Sequence, residues 1–183
     1  MDYLLALVLG AVQGITEFLP ISSSGHLLVL HEVFNFATDS SLAFDISLHI
    51  GTLVTIVLYF TKDIIHYART QPQLILRALV STLPAGVIGL FFGEQLDQWF
   101  RSSWVVVVMA VLVAIVFLLV ERYAKPNPNV GQFNWKQAMA MGLAQAVALI
   151  PGTSRSGITM AAGMSLGLNR VDAAKFSFIM VIP

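Results

Sequence analysis

Residues 13–26 read QGITEFLPISSSGH, and the stretch returns in altered form at residues 145–158 as QAVALIPGTSRSGI, 132 positions further on. Gly10, Gln13, Ser22, Ser24 and Gly25 meet identical residues at Gly142, Gln145, Ser154, Ser156 and Gly157. The copies differ in their charge. The first carries Glu17, Ser23 and His26, while the second sets Arg155 opposite Ser23. Each is a polar patch broken by Pro and Gly inside very apolar sequence. A duplicated break with unlike charges points to one composite site built from both copies, inside a membrane.

Composition supports the membrane. Hydrophobic residues make up 57% of the chain and charged residues 11%, against about 25% charged in ordinary soluble domains. Residues 103–120 (SWVVVVMAVLVAIVFLLV) hold no charge and suffice to cross about 30 Å of hydrocarbon. Residues 42–60 and 74–92 are also long enough, although the first contains Asp45 and His49 and the second Arg77 and Pro84. Residues 1–14 lack the basic start and small-residue cleavage site of a signal peptide. The formal net charge is zero, which gives no reason to expect nucleic acid, and without Cys there are no disulfides or thiolate chemistry. Residues 175–183 (KFSFIMVIP) open an apolar run too short to span, as expected of a chain missing C-terminal helices.

Charge between the spans sets a topology. Residues 61–73 carry Lys62 and Arg69, with Arg77 close by, and residues 121–136 carry Arg122, Lys125 and Lys136. Residues 93–102, with Glu94, Asp97 and Arg101, are not basic overall. The positive-inside rule puts residues 61–73 and 121–136 in the cytoplasm and residues 93–102 outside. Residues 37–41, with Asp39, then lie outside. The apolar arms around Pro20–Gly25 are too short for two crossings, so residues 1–36 read as a re-entrant helical hairpin. Irregular backbone at that depth must be buried in protein or line a wet cavity. Residues 137–168 have the same build. Three spans separate the hairpins, so the second enters from the opposite face, and the expected fold is an all-α polytopic membrane protein with an inverted repeat.

The chemistry collects in the two breaks. An intramembrane carboxylate such as Glu17 is costly and defaults to a functional reading, the plainer alternative being a structural pair with Arg155. Gln13 lies one turn earlier on the same face, placed for a ligand or for a bond between helices. Ser22, Ser23, Ser24, Gly25 and His26 bring together hydroxyls, a flexible backbone and an imidazole, the parts of an activated nucleophile. Such Ser/Gly breaks also serve close helix packing. Arg155 sits among Ser154, Ser156 and Gly157 where a helix begins, which makes an anion site with phosphate as the natural ligand. Asp45 and His49, four residues apart, suit either the mouth of the site or structural pairing.

These motifs, QxxxEFLPxSSSGH followed by PGxSRSG, resemble those of the undecaprenyl-diphosphatase family, bacterial membrane enzymes linked to bacitracin resistance. The resemblance covers essentially the whole chain, and members run longer than 183 residues. It implies hydrolysis of undecaprenyl diphosphate to undecaprenyl phosphate and inorganic phosphate in the bacterial plasma membrane, with the active site facing outward. It also implies Ser23 and His26 as nucleophile and proton carrier, Glu17 as their partner or as ligand of a divalent cation (Mg²⁺ or Ca²⁺), and Gln13 in the amide variant of an acidic position. Ser154, Arg155, Ser156, Gly157 and Ser24 fall to the phosphate. The expected partners are the lipid and the bilayer, with a homodimer as the oligomer to test. The competing reading is a transporter or flippase for a polyprenyl phosphate lipid, because facing broken helices are also transporter architecture.

Overall fold

Pro20 and Pro151 punctuate the molecule as they do the sequence. The computed structural model describes residues 3–34, 38–100, 102–127 and 133–182, and all regular structure among them is helical. The helices are α1 (Tyr3–Thr16), α2 (Ser23–Val33), α3 (Thr38–Thr70), α4 (Pro72–Phe100), α5 (Ser103–Tyr123), α6 (Trp135–Val147), α7 (Arg155–Ser165) and α8 (Arg170–Ile179). Proline lacks the N–H that a helix interior needs. Accordingly α1 stops before Pro20 and α6 before Pro151, and each restarts at its serine cluster. The starts of α6, α7 and α8 fall 132 residues after those of α1, α2 and α3. The expected placement of Asp39, Asp97 and Arg101 rests on positions outside the described residues or side chains.

Three helices are long and apolar enough to cross a membrane: 28 residues of α3, 25 of α4 and all 21 of α5. The most apolar, α5, has a mean hydropathy of 3.1 yet only 11% of it is buried inside the protein. A helix so apolar and so little covered has lipid for its solvent. Trp104 near its start and Tyr123 at its end are both exposed, the positions that aromatic side chains take at the two membrane interfaces. The helices overrun the apolar stretches read from sequence. At 33 residues, α3 is roughly 50 Å long, and residues 61–70 continue it instead of forming a loop. Only Gln71 separates it from α4, whose first residue is Pro72, the position where a missing N–H costs nothing. The polar residues there are good helix formers, and nothing ends the helix before Thr70.

The two hairpins are packed unequally. The α6–α7 pair lies in the core, where Ala138, Met141, Met160, Ala161 and Met164 join Phe117, Phe133, Phe176 and Met180. Phe133 stacks on Phe176 with ring centres 4.3 Å apart. A Cβ on Gly142 would strike the Ser81 carbonyl of α4, so only glycine allows that crossing. Local caps hold the second hairpin as well. Asn134 and Gln137 form a reciprocal capping box at α6, and Ser154 Oγ accepts from Gly157 N at α7. In the first hairpin α2 buries only Leu27, and its N-cap Ser22 makes no capping bond. The apolar run expected from residue 175 belongs to a helix that begins at Arg170, because Asn169 caps it by accepting from Asp172 N.

Candidate active site

The two breaks meet tip to tip. Ser156 Oγ donates to the Leu19 carbonyl at 3.0 Å, and Arg155 Nη2 donates to Glu17 Oε1. Between them lies a cavity of about 360 Å³, lined from the first break by Glu17, Ser22, Ser23 and Ser24 and from the second by Gln145, Thr153, Ser154, Arg155 and Ser156. That volume is in the range of small-ligand sites. Ala85 of α4 and His49 of α3 add to the wall, with Thr16, Ala148 and Leu149.

Glu17 is the hub. Its Oε2 accepts from Ser23 Oγ at 2.7 Å and from Gln13 Nε2 at 3.0 Å, while Arg155 holds Oε1. The expected pairing of Glu17 with Arg155 and its partnership with Ser23 therefore coexist, one on each oxygen. Ser23 reaches Glu17 because Ser22 adopts φ 59, a left-handed conformation that is uncommon outside glycine. That residue reverses the chain so that the first hydroxyl of α2 faces back toward the end of α1. Ser22 Oγ and Ser24 Oγ lie 3.3 Å apart, as do their counterparts Ser154 Oγ and Ser156 Oγ.

Three expected site residues do not line the cavity. His26 Nδ1 lies 2.8 Å from the Ser22 carbonyl, and the ring is exposed. A helical side chain leans back over the preceding turn, so the imidazole finds the carbonyl four residues earlier and not the Ser23 hydroxyl. Gln13 is fully buried and acts through Glu17. Gly157 donates its N–H to Ser154 Oγ, and a Cβ there would press on Ser154 and Val113. Its absent side chain leaves room for that close packing.

Other residues enter that the motif reading had not ranked. His49 Nε2 stands 3.8 Å from Glu17 Oε2, while its Nδ1 lies 2.8 Å from the Asp45 carbonyl. The carbonyl can only accept, so Nδ1 carries a proton and Nε2 is the ring atom turned toward Glu17. Asp45 also pairs with His31 of α2 at 3.3 Å. The spacing of Asp45 and His49 was visible, but the direction they face was not. Gln145 and Thr153 lie within the quoted repeat and line the cavity.

Among the described residues no cluster of three or more His, Asp or Glu is placed to hold a metal ion. Glu17 brings the one carboxylate of the cavity lining. Beside it Gln13 Oε1 is buried without a hydrogen-bond partner. A lone carboxylate suits a hard cation only where a phosphate supplies most of its remaining ligands.

Residues 6–183 match the family model described as "Bacitracin resistance protein BacA". The chain belongs to the BacA family. All of it aligns with the Undecaprenyl-diphosphatase 1 of Pseudoalteromonas translucida (strain TAC 125) at 39% identity, covering 73% of that relative. The undecaprenyl-diphosphatase of Idiomarina loihiensis is 42% identical with the same coverage, and that of Myxococcus xanthus is 41% identical with 66% of its length covered.

Proposed function

We propose that this protein is an integral membrane phosphatase that hydrolyses undecaprenyl diphosphate to undecaprenyl phosphate and inorganic phosphate. The product is the lipid carrier for peptidoglycan synthesis. Family membership and the named activity of the relatives support this reading. The observation that carries it is a serine hydroxyl bonded to a carboxylate at 2.7 Å, with a guanidinium and a helix N-terminus across the same cavity.

The terminal phosphoryl group enters between the breaks and takes Arg155 from Glu17, exchanging a carboxylate partner for phosphate in the fork geometry that guanidinium favours. Glu17 Oε2 accepts the Ser23 proton as Ser23 Oγ bonds to phosphorus. The bridging P–O bond breaks, its electron pair leaves with undecaprenyl phosphate, and Glu17 passes the proton to that departing phosphate. Water then attacks the phosphoserine. Glu17 takes a proton from the water and returns it to Ser23 Oγ as inorganic phosphate leaves. Arg155 and the first amides of α7 stabilise charge on the transferring group. His26 is a positioning residue here, because its bond to the Ser22 carbonyl steadies the reversal that presents Ser23. A divalent cation such as Mg²⁺ (or Ca²⁺) would be held by Glu17 together with phosphate oxygens of the substrate, and when bound it would neutralise diphosphate charge.

We read the hairpins as halves of an inverted repeat that meet within the membrane, supported by the odd number of spans between them and by the repeated helix starts. The basic residues Lys62, Arg69, Arg122 and Lys125 support a cytoplasmic side for their segments. The bacterial plasma membrane, with a site reached from the outer side, belongs to the same proposal.

Phosphate release from undecaprenyl diphosphate in detergent, with and without Mg²⁺, tests the reading. Release is expected, and Glu17→Gln should lower kcat by roughly 10²–10⁴-fold. No release under any divalent ion, together with lipid movement across vesicles, overturns the phosphatase in favour of a lipid carrier.

A further inference from the structure

Hydrolysis of a phosphoserine needs a water aimed at phosphorus, and Glu17 can take a proton from that water without fixing where its oxygen stands. Two polar groups of the second hairpin have the chemistry to fix it. Gln145, in the last turn of α6, lines the cavity, and its Oε1 is buried without a hydrogen-bond partner. Thr153 is 6% exposed and lines the same cavity, and its Oγ1 is likewise buried and unpartnered. Buried polar groups are nearly always paired, and an exception calls for an explanation. An amide oxygen only accepts, so its partner must bring a proton, and a threonine hydroxyl can accept as well. Water brings two O–H groups, whereas an ionised phosphate oxygen brings none.

Gln145 differs from its repeat counterpart Gln13 in what stands four residues later. Gln13 gives its amide N–H to Glu17 at 3.0 Å and stays out of the cavity lining. Gln145 has Leu149 at that place, which takes no hydrogen bond, and its side chain lines the cavity. The loop that carries Thr153 is fixed from behind. Gly152 has φ 87 and packs so closely on α5 that a Cβ would collide with the Val106 carbonyl. Thr153 N donates to the Ile150 carbonyl at 3.1 Å. Both acceptors therefore belong to the second break, while Ser23 belongs to the first.

We infer that Gln145 Oε1 and Thr153 Oγ1 hold the water that attacks the phosphoserine. This rests on the phosphatase reading and deepens it. Displacement at phosphorus runs with the entering and leaving oxygens in line. Ser23 Oγ is the leaving oxygen of this step, so the water comes from the side of the second hairpin. Glu17 reaches that side too, because its Oε2 is at Ser23 and its Oε1 at Arg155. Once Arg155 has turned to the phosphate, Oε1 can face the water. One water O–H stays on Gln145 Oε1, and the other proton passes to Glu17 as the water oxygen bonds to phosphorus. The bond from phosphorus to Ser23 breaks, its electron pair goes to Ser23 Oγ, and Ser23 Oγ takes the proton from Glu17. A glutamine amide orients the attacking water in the same manner in GTPases.

The two products isolate this step, since undecaprenyl phosphate leaves before the water acts and inorganic phosphate after it. In the full chain carrying Gln145→Met, rapid-quench assays with undecaprenyl diphosphate should show a first turnover of undecaprenyl phosphate at the wild-type rate. Release of inorganic phosphate should then be slower by about 10²-fold, the scale of a misplaced reacting group. Acid-quenched protein should carry phosphate on Ser23, read by peptide mass spectrometry. Thr153→Val should show the same pattern with a smaller loss, and Thr153→Ser should restore the rate. That pair carries the comparison alone if Gln145→Met does not fold. A first turnover slowed as much as the later ones with Ser23 unmodified, or no change in either product, overturns the inference. Failure of the phosphatase reading looks different: wild-type protein would release neither product, and this step would fall with it.

Discussion

The two hairpins share a sequence pattern but differ in how they are held. The second is capped at both helix starts and buried on several sides, with seven of the 11 residues of α7 in the interior. The first buries one residue of α2, lacks a side-chain cap there, and turns on a left-handed serine. The rigid half presents the cation and the helix dipole, which must be in place before charge develops. The lightly held half presents Ser23 and Glu17, the groups to which the proposed reaction gives the exchange of protons and bonds. The identical serines pair side chain to side chain in both copies, while the charges that the copies do not share, Glu17 and Arg155, meet across the cavity.

The largest expected effect lies in the reacting half. Ser23→Ala should lower phosphate release by on the order of 10⁴-fold or more, as loss of an attacking hydroxyl does elsewhere. If single-turnover assays found most of the rate intact, water would be the nucleophile and the division of labour between hairpins would fail. Arg155→Lys comes next, at about 10²-fold in kcat/KM, since a point charge cannot reproduce two parallel bonds to phosphate. Unchanged kinetics would remove the second hairpin from the chemistry and leave Arg155 as a structural partner of Glu17. The smallest effect concerns packing. Gly142→Ala should cost about 1–3 kcal/mol in stability through overpacking, because α4 backbone occupies the space. Its repeat counterpart, Gly10→Ala, meets only Leu48 at 3.7 Å and should be neutral. Thermal unfolding in detergent that shifted equally for both would contradict the unequal packing of the two halves.

Much of this architecture was legible along the chain because its causes are local. Pro20 and Pro151 stand beside Ser and Gly clusters, so the breaks there could be placed from sequence, whereas Pro84, alone in an apolar run, is carried inside α4. Apolar runs in α3, α4 and α5 reveal spans by length alone, although their helical ends do not show, since Lys, Arg and Gln extend a helix as readily as Leu. The site was legible in part. Glu17, Ser23 and Arg155 came from residue type and setting, and all three line one cavity. His26 and His49 show the limit. Each ring sits on the carbonyl four residues before it at 2.8 Å, yet only His49 lines the cavity. Local geometry is the same for both, and the difference comes from what lies beyond the helix.

By itself the sequence determined that this is a membrane protein of the BacA kind, with two polar breaks bearing opposite charge. Composition, proline chemistry and motif spacing act within a few residues, so they survive without a fold. The tertiary structure alone decided that Glu17 gives one oxygen to Ser23 and the other to Arg155, that Gln13 and Gly157 stay out of the cavity lining, and that Thr153 joins it. Those outcomes depend on how helices more than a hundred residues apart turn their faces toward each other, and packing sets that orientation.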